Sequence, residues 1–208
     1  PLNAEIYRLS VSDLTVTALT DRFGPDVGPQ VSPDGKYLAY MGFDDTFQGH
    51  TIRELYVMDV DGNNKQLISA ALDRSVQSMA WRGDSKGLYV QYTDQGDGKL
   101  AFISRSGQVK QVADTLGGLS LGRPYNAAAF SVSENDRLAY TLGGPEHPAD
   151  LAVKAGNQMR RITHLNDDVF GHKKLGQVQE LRWQSSVDQR EIQGWLATPP
   201  GFDPEKKY

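Results

Sequence analysis

Gly83-Asp84-Ser85-Lys86-Gly87 spells Gly-x-Ser-x-Gly, the pattern that holds a serine nucleophile on a strained turn. That chemistry needs a strand before the turn and a helix after it. Leu88-Tyr89-Val90-Gln91-Tyr92 follows instead and reads as a strand, so the pentapeptide is expected to be an ordinary turn. Asp59-Val60-Asp61-Gly62-Asn63-Asn64 has the outline of a calcium loop, but the distal glutamate that would complete the oxygen cage is missing, and a hairpin turn is expected. His50, His147, His164 and His172 form no His-x-x-x-His or comparable pair, so no metal or other cofactor is expected. Asp44-Asp45, and Asp94 with Asp97, fall between strands, where paired carboxylates could hold a substrate amine or move a proton. Arg123 and Tyr125 precede a strand near the expected central channel, and could touch substrate or fix a domain interface. Asp44, Asp45, Arg123 and Tyr125 are therefore the candidates for substrate or domain-interface contacts, and no catalytic residue is assigned.

The elements that would position these side chains repeat. Val31-Ser32-Pro33-Asp34-Gly35, Trp81-Arg82-Gly83-Asp84-Ser85 and Val132-Ser133-Glu134-Asn135-Asp136 each lead into a strand. They recur at about 50 residues, a propeller-blade period. A second strand pair follows each, turning at Asp61-Gly62, Ser106-Gly107 and Ala155-Gly156, where glycine accepts the positive φ of tight hairpins. Each unit reads as four short strands rich in aromatic and β-branched residues, which is a propeller blade. Tyr37, Tyr40, Tyr56, Tyr89, Tyr92, Phe102, Phe130 and Tyr140 fall at matching positions and are expected between blades. Glu5 to Leu9 and Thr15 to Thr20 read as the last two strands of another blade. The fold class is thus all-β, a partial propeller of about three full blades plus part-blades. A small closed ring, with the two terminal strand pairs sharing one blade, is the alternative.

Bulk properties agree. The chain has 208 residues, 38% of them hydrophobic, enough to bury a core. Its net charge of −4 argues against nucleic acid, since phosphate binding needs a basic face. It has no cysteine, which removes disulfides and thiol chemistry. No apolar run approaches membrane-spanning length, so no membrane partner is expected.

The tail carries the most specific signal. Arg190-Glu191-Ile192-Gln193-Gly194-Trp195-Leu196-Ala197-Thr198-Pro199-Pro200-Gly201-Phe202 resembles the segment where prolyl-oligopeptidase-family serine peptidases pass from propeller to α/β-hydrolase domain. Asp21-Arg22-Phe23-Gly24-Pro25-Asp26 and Thr163-His164-Leu165-Asn166-Asp167-Asp168 resemble the acylaminoacyl-peptidase-like branch. The resemblance implies a partial propeller over 1–178 and an interdomain crossing over 179–208. It implies a Ser-His-Asp triad beyond Tyr208, in a hydrolase domain that would be the propeller's partner. The propeller would gate short peptide substrates, in the periplasm or the cytoplasm with a lean to the periplasm. Open strand edges would invite self-association. A stand-alone TolB-like propeller serving as a protein-binding scaffold is the alternative, and the tail argues against it.

Overall fold

The computed structural model describes residues 3–118, 128–145 and 147–208. Three four-stranded antiparallel units follow one another. The first is β3 (Asp26–Val31), β4 (Tyr37–Gly42), β5 (Glu54–Asp59) and β6 (Gln66–Leu67). The second is β7 (Ser78–Trp81), β8 (Gly87–Asp94), β9 (Asp97–Ser104) and β10 (Val109–Leu116). The third is β11 (Phe130–Val132), β12 (Arg137–Gly144), β13 (His147–Ala155) and β14 (Gln158–Arg161). One main-chain register contact, Leu116↔Leu142, links β10 to β12 and joins the second and third units.

Two hairpins flank the blades, β1 (Tyr7–Leu9) with β2 (Val16–Ala18) and β15 (Val178–Gln184) with β16 (Glu191–Ala197). They form separate two-stranded sheets, so the shared blade of a closed ring is not formed among the described residues. A single helical turn, α1 (Asp167–Phe170), precedes the last hairpin; the sequence reading had no helix there. No described helix is long and apolar enough to cross a membrane.

Blades are buried on both faces, which explains why β4 and β8 are nearly continuous apolar runs. Alternate side chains of a strand point to opposite faces. Leu38 and Tyr40 of β4 therefore pack with Ile6 and Met58 on one side, while Ala39 and Met41 pack with Trp81, Leu88 and Val90 on the other. Tyr89 of β8 points the opposite way from Leu88 and Val90, joining Leu138, Tyr140 and Leu142 of the third blade. Each fully buried Leu or Val contributes roughly 1.5–3 kcal/mol, so the three interblade layers hold the arc together. Polar contacts add register. The Trp81 indole donates to the Gln30 carbonyl at 2.9 Å, and the Gln30 amide donates to the Met79 carbonyl at 3.0 Å.

The three recurring turns begin alike, although the third is one residue shorter than the others. Gly35, Ser85 and Asp136 occupy the same place with φ of 71°, 58° and 65°. Glycine takes this left-handed conformation freely; serine and aspartate adopt it at some cost in strain.

Candidate functional site

The strands of each blade run between two ends. One end carries the turns at Gly35, Ser85 and Asp136. The opposite end carries the connection of residues 43–53, between β4 and β5, and the Gln95-Gly96 turn between β8 and β9. Asp44 and Asp45 lie on that opposite end and have different work. Asp45 builds the loop: its carboxylate accepts from the Phe47 amide at 2.9 Å, and its own amide donates to the Phe23 carbonyl at 2.9 Å. Asp44 keeps its side chain 75% exposed, 3.9 Å from the Arg22 guanidinium.

Arg22 is the hub beneath Asp44. It pairs with the buried carboxylate of Asp26 and lies 4.3 Å from the centre of the Tyr56 ring, which stacks on Tyr40. The Tyr56 hydroxyl donates to Glu54 at 2.7 Å. Burial pushes the Tyr56 phenol up to about 12, with the Glu54 bond adding to it. Burial also pushes up the phenol of Tyr40, and the Asp26 charge reinforces the shift. The ion pair is lopsided. Burial opposes the Arg22 charge, but Tyr56 and Asp26 outweigh it and hold the guanidinium charged. The deeper Asp26 carboxyl is pushed up by burial, which exceeds Arg22's downward pull. Close approach makes glycine necessary around this hub. A Cβ on Gly42 would sit 2.1 Å from Arg22 and 2.3 Å from the Pro25 carbonyl oxygen. The sequence reading missed this centre; its local signal is an arginine and an aspartate four apart around Gly24-Pro25.

The β15–β16 hairpin meets the same end of the blades. Arg182 donates to the Gln95 side-chain oxygen and Gln193 donates to the Gln95 carbonyl, each at 3.0 Å. Trp195 lies over Gly96, where a Cβ would be 2.5 Å from its ring. Trp183 and Trp195 leave about half their surface exposed. Asp94 and Asp97 are not in an open loop as expected; they pair across this two-residue turn, whose φ values of 52° and 85° suit a type I′ hairpin. Asp94 accepts from Lys99 at 2.8 Å and from Arg74 at 2.9 Å. The Lys99 bond leads in holding its carboxyl below the ordinary range.

The other motifs resolve into structure. Ser85 is 3% exposed, its hydroxyl accepts from the Asp34 amide at 3.1 Å, and β8 follows it. It has neither the access nor the helix a nucleophile needs. The carboxylates of Asp59 and Asp61 are taken up by Asn64 and Asn63 within their own turn. His147 contacts the Pro148 carbonyl and His164 contacts Asp167, each at 2.9 Å. Among the described residues no three metal-ligating side chains cluster. Arg123 and Tyr125 lie outside the described residues. The geometry offers an exposed carboxylate on a rigid ionic base and a clamped aromatic hairpin, but, among the described residues, no nucleophile paired with a base.

No family model matches the chain. Dipeptidyl-peptidase 5 of Porphyromonas gingivalis is 26% identical over 209 residues, covering 99% of this chain and 29% of that protein. The sequence and the blades point the same way. The chain is similar to part of dipeptidyl-peptidase 5 and folds as propeller blades. Solved structures agree on the fold. An acylaminoacyl peptidase in complex with Z-Gly-Gly-Phe-chloromethyl ketone has a TM-score of 0.74 at 22% identity, over 97% of this chain and 29% of its own. The Pyrococcus horikoshii acylaminoacyl peptidase gives 0.71 at 22% identity, over 94% of this chain and 28% of its own. The chain thus spans under a third of the length of each of these three proteins.

Proposed function

We propose that this propeller controls access to a serine peptidase active site carried by an α/β-hydrolase domain, and that the whole protein removes short units from peptide amino termini. The observation that carries the reading is the match to dipeptidyl-peptidase 5 along 99% of the chain. The geometry supports it in two ways. The β15–β16 hairpin, clamped to Gln95 and presenting Trp183 and Trp195, supplies an apolar seat for a neighbouring domain. Asp44, exposed at the same end of the blades, supplies a carboxylate for a substrate's free amine.

The test uses the full-length protein with a dipeptidyl arylamide, its amino-acetylated counterpart and an intact folded protein as substrates. Cleavage of the small substrates with the folded protein spared is expected. Asp44→Asn should raise KM for the free-amine substrate and leave the acetylated one unchanged. Ser85→Ala should retain activity. Absence of peptidase activity, or equal cleavage of the folded protein, sinks the reading.

A further inference from the structure

The propeller repeat allows one blade junction to be compared with the next, position by position. Leu38, Leu88 and Leu138 face Val31, Trp81 and Val132 in the three blades, and face Met58, Ile103 and Lys154 on the other side. That register makes Tyr37 equivalent to Gly87. It also makes Val60, Arg105 and Gly156 equivalent, each one place beyond its strand. At the first junction Tyr37 comes from one blade and Arg105 from the next, and the guanidinium lies 3.9 Å from the ring centre, in the wall of a cleft of about 280 Å³. At the second junction both places are glycine, Gly87 and Gly156. The ring of Phe102 leans over Gly87, where a Cβ would be 2.6 Å from it, and nothing lies within 4 Å of a Cβ on Gly156.

The second junction also carries a cleft, of about 260 Å³, and its walls are more aromatic and apolar: Tyr89, Phe102 and Leu138. Its charge differs from that of the first junction as well. Lys154 stands where the preceding blade has the buried Ile103, and Lys110 stands where the first blade has Gln66. The cleft's carboxylate is already engaged: Asp136 accepts from Tyr89 at 2.5 Å and from Arg82 at 2.9 Å. Lys110 and Lys154 have no acidic partner among the described residues. Lys110 and Lys154 thus line a cleft with an aromatic wall, at the end of the blades away from the β15–β16 hairpin.

We propose that this junction binds a small organic carboxylate with an apolar group, the ammonium groups of Lys110 and Lys154 holding the carboxylate and Phe102 receiving the apolar part. Ammonium groups donate only, so the ligand must supply acceptors. Small-molecule sites combine apolar walls with a few such convergent polar groups. The inference does not depend on the peptidase reading.

The probe is N-acetylphenylalanine, titrated calorimetrically into the full-length protein at moderate ionic strength. Saturable binding is expected, weakened about tenfold for each of Lys110→Gln and Lys154→Gln, because a hydrogen bond to a charged group contributes about 1.5 kcal/mol or more. The neutral N-acetylphenylalanine amide should bind at least about tenfold more weakly. Lys154→Ile restores the residue type of the preceding blade, so it keeps the fold testable, and an unchanged thermal midpoint confirms it. The proposal is overturned if the lysine variants bind as the parent does. It is equally overturned if inorganic phosphate binds as tightly as the probe, for then the apolar wall recognises nothing.

Discussion

Replacing Asp26 by alanine should be the costliest single change at the Arg22 hub. Asp26 is 2% exposed and the Arg22 side chain 14% exposed, so the ion pair is shielded from water. Without Asp26 the guanidinium stays buried, with the Tyr56 and Tyr40 rings beside it and Asp44 at 3.9 Å. Asp44 is largely solvated, and an exposed partner contributes at most about 1 kcal/mol. Breaking one side of a buried pair costs about 3–5 kcal/mol, whereas replacing both partners by apolar residues of similar size is often neutral. Asp26→Ala should therefore destabilise by about 4 kcal/mol and Arg22→Met/Asp26→Leu by much less. The assay is urea unfolding followed by tryptophan fluorescence. With a slope of about 2 kcal/mol/M, the single variant loses about 2 M in midpoint. A loss below about 1 kcal/mol, or a double variant as unstable as the single, refutes the reasoning.

Two further outcomes are expected. Gly42→Ala should cost about 2–3 kcal/mol by crowding the Pro25 backbone and Arg22; Gly35→Ala, strained at φ 71° but with open space around it, should cost about 1 kcal/mol. Calorimetry of both checks this, and the reverse order contradicts it. Asp94→Asn should show a pH-dependent deficit. The native carboxyl is held below its ordinary 3.8, so the folded state gives up this proton more readily than the unfolded chain. Its stabilisation is fully present above that value and is lost as pH falls through the folded pKa. The variant should be less stable than the parent at neutral pH and match it in strong acid; a deficit that persists in acid excludes this cause.

The blades were legible because their signals are local. Val31, Trp81 and Val132 each open a turn and a strand, and every strand pairs mainly with its neighbour in the chain. The Gln95-Gly96 hairpin was legible too, since two residues ending in glycine between Asp94 and Asp97 is a hairpin pattern, and reading the aspartates as loop residues overlooked it. The Arg22 hub was not legible. Its rings come from Tyr40 and Tyr56 on adjacent strands, and its geometry depends on how closely Gly42 lets the segment around Pro25 approach. The second junction was hidden for a related reason: Gly87 and Gly156 look like ordinary turn glycines until the register sets them opposite Tyr37 and Arg105.

The main-chain contact between Leu116 and Leu142 sits at the far end of β10 and β12 from Lys110 and Arg137. The backbone link of the junction that lacks the tyrosine–arginine contact thus lies at the opposite end from Gly87 and Gly156. The second and third blades are bound like the covers of a book, with the spine at Leu116 and Leu142 and the pages parting at Gly156. A rotation about that spine would change the width of the mouth without breaking the hydrogen-bond ladder inside either blade. Between the first and second blades the main-chain link is the Val76 amide donating to the Arg53 carbonyl at 2.8 Å, and Arg105 lies on Tyr37 at the other end.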